Sequence, residues 1–213
     1  MKCEKETMLL YAVTDRAWTG AQTLYQQVEC ALKGGVTCVQ LREKDLPETE
    51  FLAEAKEIGA LCRAYDVPFI INDSVEIALA CGADGVHVGQ SDMEAGAVRA
   101  AVGEGLMIGV SVRTVEDALQ AQRVGADYLG VGAVFATSTK LDAAPVSRQT
   151  LRDICAAVDI PVTAIGGIGR GNILELSGTG INGVALVSAI FGAEDIENRC
   201  RELKELAHRV ADA

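Results

Sequence analysis

In the run "VQLREK", Gln40, Arg42 and Lys44 recur at every second position. Side chains of an extended chain alternate between faces, so these three share one face and Val39, Leu41 and Glu43 take the other. If Leu41 turns toward a helix layer, an amide and two cations project together. That set suits a phosphate or diphosphate, which arginine grips with a planar fork and lysine meets as a point charge. The competing reading is a solvated charge cluster, with Glu43 and Asp45 neutralising the cations.

Asp73 and Asp92 each follow a short apolar run. Mg2+ typically takes one or two protein carboxylates and completes its shell with substrate phosphates and water, so this pair is a candidate metal site. A structural role competes here too. Asp73 and Glu76 have capping-box spacing, as do Ser91 and Glu94, which puts Asp92 in a helix's first turn. The stretch "VGAVFATSTK" begins apolar and ends in Thr137, Ser138, Thr139 and Lys140. Three hydroxyls and an ammonium fit a solvated loop, a helix cap or an anion cradle. In "IGGIGRGN" and "VSAIFGAEDIENR", Gly166-Gly167 and Val187-Ser188 follow apolar runs and lead into helical patterns. Bare glycine amides let an anion approach the backbone, and a helix start adds partial positive charge.

These residues need elements to hold them. Apolar runs recur at 9–15, 36–43, 68–73, 85–89, 107–112, 128–135, 161–167 and 183–190, rich in Val, Ile and Leu and bounded by Gly, Pro, Asn or Asp. Such runs predict buried parallel strands. Helical patterns lie between them. Leu24, Val28 and Ala31 share one helical face, stopped at Gly34-Gly35; Val115, Ala118, Leu119 and Gln122 share another, stopped at Gly125. "GGVT", "CGADG", "VGAD" and "TGING" precede the second, fourth, sixth and eighth runs as four versions of one helix-to-strand turn.

Eight strands alternating with helices predict an α/β fold, a (β/α)8 TIM barrel, with residues 1–213 as a single domain and the active site at the C-terminal ends of the strands. Those ends are polar, and they add Asn72, Ser111 and Arg113 to the residues above. A doubly wound open sheet is the alternative. "GGIGRGN" has Asn172 where a dinucleotide fingerprint needs its third glycine, and there is no P-loop.

A net charge of −11 argues against a nucleic-acid partner, whose phosphates demand a basic surface. No apolar run reaches the roughly 18 residues that a membrane span needs. The start "MKCEKETMLLYAVTD" is unlike a signal peptide, and a cytoplasmic setting is expected. Seven cysteines without CxxC spacing, and only two histidines, are a poor zinc or disulfide framework. Thiols such as Cys38 and Cys62 read as small apolar groups. His87 reads as a neutral core histidine. Trp18 has no assigned role, and nothing specifies the oligomeric state.

The ordered set "YAVTD", "QLREK", "IND", "GADGVHVGQSD", "IGVS", "GVGAVFATSTK", "AIGGI" and "GVALVSAI" resembles the thiamine phosphate synthase family over about residues 10–192. That family is a (β/α)8 barrel. The resemblance implies an Mg2+-dependent transferase with two small-molecule substrates, hydroxymethylpyrimidine pyrophosphate and hydroxyethylthiazole phosphate. Pyrophosphate would leave first, and the thiazole nitrogen would then attack the pyrimidine-methyl cation. Carried onto matching positions, Gln40, Arg42, Lys44, Asn72, Ser111 and Lys140 would hold the pyrimidine pyrophosphate, with Arg42, Lys44, Ser111 and Lys140 catalytic. Asp73 and Asp92 would hold Mg2+. Thr137, Ser138, Thr139, Gly167, Val187 and Ser188 would hold the thiazole phosphate. A silent sensor of thiamine phosphates and a thiazole tautomerase-type barrel remain as alternatives.

Overall fold

The computed structural model describes residues 3–89, 95–136 and 145–213, with the Ala95 side chain excepted. Eight strands pair in sequence order: β1 (Leu10–Val13), β2 (Cys38–Leu41), β3 (Phe69–Asn72), β4 (Gly85–Val88), β5 (Met107–Val112), β6 (Tyr128–Gly132), β7 (Val162–Ile165) and β8 (Gly183–Leu186). All pairs are parallel, and β8 returns to β1, so the sheet closes as a barrel. Except for β5, which fills its run, each strand is shorter than the apolar run containing it. The run 128–135, for instance, leaves the ladder after Gly132.

Strand alternation divides the core. Leu10, Ala12, Val39, Leu41, Phe69 and Ile71 face the shell between strands and helices. Tyr11, Val13, Cys38, Ile70, Met107, Tyr128 and Ala185 form an inner plug with Met8. Burying each large apolar side chain stabilises the fold by roughly 1.5–3 kcal/mol.

The helices are α1 (Leu24–Lys33), α2 (Glu48–Ala64), α3 (Val75–Cys81), α4 (Ala95–Val102), α5 (Val115–Arg123), α6 (Arg148–Ala157), α7 (Ser188–Phe191) and α8 (Ile196–Ala211). Side chains cap the starts of α1, α3, α5, α6 and α8, from Thr23, Ser74, Thr114, Ser147 and Asp195. In α8, Ile196, Cys200, Leu203, Ala207 and Val210 recur at intervals of three and four and are buried on one face. In α5 the buried pair is Ala118 and Ala121, while Leu119 is exposed. The expected face keeps Val115 and Ala118 and exchanges Leu119 for Ala121. Between β7 and β8 the helix is a single 3-10 turn, Ile173–Leu176, and the first helix after β8 is the four-residue α7. Among the described residues, no helix is long and apolar enough to cross a membrane.

The four repeated turns have one physical job. Thr37 Oγ1 accepts from Leu10 N at 2.9 Å, Asp84 Oδ2 from Phe69 N at 2.8 Å, Asp127 Oδ2 from Ile108 N at 2.7 Å, and Asn182 Oδ1 from Val162 N at 2.9 Å. In each case the residue just before an even strand satisfies an amide at the start of the preceding odd strand. The same clamp therefore closes the N-terminal end of the barrel four times.

Candidate active site

The opposite end opens into a cavity of about 400 Å3. Tyr11, Gln40, Asn72, His87, Ser111 and Thr163 line it from the strand interiors, with Asp15, Arg42, Arg113, Gly166, Gly167, Val187 and Ser188 above them. Of the residues expected from the sequence, Gln40, Arg42, Asn72, Ser111, Gly167, Val187 and Ser188 thus share one space. Asp92, Thr137, Ser138, Thr139 and Lys140 lie outside the described residues.

Arg42 follows directly on β2, and its backbone N–H donates to Thr14 Oγ1 at 3.0 Å. Its guanidinium is 3.8 Å from Asp15 Oδ2, a long pair that a ligand phosphate can displace. Glu43 is not its partner. The Glu43 carboxylate turns to Arg16, 3.0 Å away, and Arg16 also binds Glu54 at 2.8 Å. Burial raises the Glu43 pKa against the opposing pull of Arg16. The charge-cluster reading therefore fails for Arg42, whose neighbouring acid is occupied elsewhere. Lys44 is exposed and does not line the cavity. The strand ends at Leu41, so its alternation no longer directs residues further along.

Asp73 has φ +63°, a left-handed conformation that aspartate tolerates better than most residues. Its N–H donates to the His87 carbonyl at 2.9 Å, extending the β3–β4 ladder by one residue. The cap of α3 is Ser74, which accepts from Ile77 N at 3.2 Å. The capping role considered for Asp73 thus belongs to its neighbour. The Asp73 carboxylate accepts instead from Asn72 Nδ2 at 2.5 Å, at the mouth of the barrel. Among the described residues, no three His, Cys, Asp or Glu side chains gather as a metal cage. One hard carboxylate at the mouth of a cavity that Arg42 also lines is the kind of donor set from which Mg2+ is held jointly by protein and a phosphate-bearing substrate.

At the β7–β8 side the site is made of backbone. Gly166 and Gly167 have φ +98° and +68°. A Cβ on Gly166 would lie 2.5 Å from Ala133 Cβ, and one on Gly167 would lie 2.5 Å from the Ala136 carbonyl oxygen. Only glycine fits this close approach. Asn172 braces the turn, accepting from Gly169 N at 2.8 Å and donating to the Gly167 carbonyl at 2.9 Å. An adjoining recess of about 380 Å3 is lined by Ala136, Gly167, Gly169, Gly171, Asn172 and Ser188. The short helices here supply little macrodipole, so the anion site expected from the sequence would rest on backbone amides and hydroxyls. Ala136, the last described residue before Thr137, borders this recess.

Sequence reasoning did not assign Tyr11, Tyr128, Thr163 and Asn172 to the site. Tyr11 and Tyr128 are buried phenols, and burial pushes both well above the usual tyrosine range, so they stay protonated. The Thr163 hydroxyl is buried with no hydrogen-bond partner among the described residues. A buried phenol or hydroxyl needs a partner, and that requirement was the available signal. Trp18 is 41% exposed and packs beside Gly192 after α7. All seven cysteines are free; burial raises Cys3, Cys62, Cys155 and Cys200 to about 12, so they remain thiols.

A closed parallel barrel whose C-terminal mouth combines an arginine wall with a glycine-amide wall defines a class, the (β/α)8 enzymes of phosphorylated small molecules. The profile described as Thiamine monophosphate synthase matches residues 10–190. Thiamine-phosphate synthase of Clostridium tetani is 50% identical over 194 residues, covering 91% of this chain and 93% of that protein. The protein of the same name from Ruminiclostridium cellulolyticum is 50% identical over 197 residues, covering 92% and 94%. The solved structure of thiamine phosphate pyrophosphorylase from Pyrococcus furiosus superposes with a TM-score of 0.89 at 40% identity, covering 97% of this chain and 98% of that one. The chain belongs to the thiamine monophosphate synthase family, and its activity is that of a thiamine-phosphate synthase, a transferase of thiamine biosynthesis.

Proposed function

We propose that the cavity joins hydroxymethylpyrimidine pyrophosphate to hydroxyethylthiazole phosphate by a dissociative substitution. The bond from the pyrimidine methylene carbon to the pyrophosphate oxygen breaks first, and its electron pair leaves with pyrophosphate. The thiazole nitrogen then donates its lone pair to the resulting cation, giving thiamine phosphate. The observation that carries this reading is one cavity lined by Arg42 on one side and by Gly166 and Gly167 on the other.

In this reading Gln40, Asn72 and Ser111 hold the pyrimidine. Arg42 meets the departing pyrophosphate once it exchanges Asp15 for phosphate, with Lys44 and Lys140 as further cations. Gly167, Val187, Ser188 and the hydroxyls of Thr137, Ser138 and Thr139 receive the thiazole phosphate. Asp73 and Asp92 hold Mg2+, which when bound would supply charge neutralisation to the pyrophosphate oxygens. No side-chain nucleophile is required, because the second substrate brings its own. Catalysis then consists of positioning and charge stabilisation. Seven free thiols suit a reducing, cytoplasmic setting.

Electron-withdrawing substituents on the pyrimidine test the mechanism. They should slow turnover by about 100-fold or more, since cationic character develops at the ring-bearing carbon. A rate insensitive to them would replace the dissociative path with direct displacement. Asp73→Asn should raise the Mg2+ concentration for half-maximal rate about tenfold; an unchanged requirement would remove Asp73 from the metal site.

A further inference from the structure

A continuous run of hydrogen bonds crosses the floor of the cavity. Gln40 Nε2 donates to Tyr11 Oη at 2.6 Å, and Tyr11 Oη lies 2.8 Å from Tyr128 Oη. Tyr128 Oη lies 3.1 Å from His87 Nδ1, and His87 Nε2 lies 3.0 Å from Ser111 Oγ. Both ends of the run, Gln40 and Ser111, line the cavity. Its two phenols are buried, Tyr11 and Tyr128 being 2% and 0% exposed, and Tyr11 and His87 also border the cavity.

Proton counting then leaves few options. Tyr11 accepts from Gln40, so the Tyr11 proton goes to Tyr128. The Tyr128 proton goes to His87 Nδ1. That nitrogen is therefore bare, and His87 is neutral with its proton on Nε2, donated to Ser111. The Ser111 proton remains for the cavity, while Gln40, with one of its two amide N–H groups given to Tyr11, keeps Oε1 as an acceptor. Turning the Gln40 amide would reverse every bond and swap donor for acceptor at both ends. A mixed state strands a buried hydroxyl or ring nitrogen without a partner, which is disfavoured. The relay therefore has two polarities and no intermediate, and the Gln40 orientation selects the first.

The barrel gives up core volume to seat this relay. A Cβ on Gly109 would lie 2.1 Å from Tyr128 Cζ and 2.4 Å from His87 Nδ1, and one on Gly130 would lie 3.1 Å from His87 Cε1. Any larger residue at 109 would occupy the space where the phenol meets the imidazole.

We propose that Tyr11, Tyr128 and His87 are positioning residues that lock the cavity floor in one polarity, an acceptor at Gln40 and a donor at Ser111. That polarity selects an aminopyrimidine, which donates from its amine and accepts at a ring nitrogen. It rejects an oxo-pyrimidine, which presents the reverse. The selectivity rests on the pyrimidine-binding reading above; the locked tautomer does not.

Nitrogen-15 NMR of the full chain tests the lock directly. There are two histidines, and His208 on α8 serves as the internal control. His87 should show a protonated Nε2 and a bare Nδ1. A proton on Nδ1 in the wild type would overturn the proposal. In Tyr128→Phe the ring should lose its single tautomer. The same variant should raise KM for the aminopyrimidine pyrophosphate about tenfold with little change in kcat, and cut discrimination against the oxo analogue by a similar factor. Tyr11→Phe breaks the relay at its other end and should cut discrimination likewise, which covers the case in which the first variant does not fold. Unchanged discrimination in a folded variant would overturn the proposal. If the wild type binds no pyrimidine pyrophosphate, the substrate reading fails, and the tautomer still decides the relay.

Discussion

The two ends of the barrel are built on opposite principles. At the N-terminal end one device recurs four times: Thr37, Asp84, Asp127 and Asn182 each clamp the amide that starts a neighbouring strand. At the C-terminal end no single device recurs around the described strand ends. Arg42 stands after β2, the left-handed Asp73 after β3, and two positive-φ glycines after β7. Closing a sheet is the same problem at every strand, so one solution can be repeated. Two different substrates meeting in one cavity require an asymmetric surface. Stability and chemistry are thereby assigned to different ends, and substitutions at each should separate them.

The sharpest separation is expected from Arg42→Ala. Losing this cation should lower kcat by about 100- to 1,000-fold, equivalent to roughly 3–4 kcal/mol of transition-state stabilisation, with melting temperature shifted by less than about 2 °C. Steady-state kinetics and a thermal melt read both quantities. Next comes Asp127→Ala at the other end. Asp127 accepts from Ile108 N and also pairs with Arg99, which further bonds the carbonyls of Leu106 and Gly125. Its loss should cost about 2–3 kcal/mol and about 5–10 °C in melting temperature, with kcat/KM of the folded protein unchanged. A comparable loss of turnover from Asp127→Ala would erase the distinction between the ends. The smallest effect is expected from Asn172→Ala, which removes both braces of the glycine turn. KM for the thiazole phosphate should rise about fivefold, close to 1 kcal/mol, while KM for the pyrimidine substrate stays put. Equal rises in both constants would mean that the two walls are not independent.

How far the site was legible depended on the range of the interactions. Gln40 follows from a period of two because it lies within β2, and Arg42, one residue past Leu41 and tied to Thr14 through its N–H, still keeps that direction. Lys44 shares that spacing but lies three residues past the strand end, beyond the last strand-like contact, and is exposed. The Asp73 ambiguity could not be resolved from spacing alone, since Ser74 offers a cap one residue later and only the backbone turn shows which is used. Tyr11 and Tyr128 read as ordinary core residues. Their phenols meet at 2.8 Å, yet 117 residues separate them in the chain.

By itself the sequence determined the strand rhythm, the four repeated helix-to-strand turns and the polar strand ends, and it carried the family resemblance. All of these are encoded within short stretches, through side-chain period, turn chemistry and backbone reach. Only the tertiary structure decided which polar ends share one cavity, that Glu43 turns to Arg16, and that five polar groups join in a relay across the barrel floor. Those outcomes depend on barrel closure, which brings distant strands within hydrogen-bond distance and excludes the water that would otherwise satisfy each group separately.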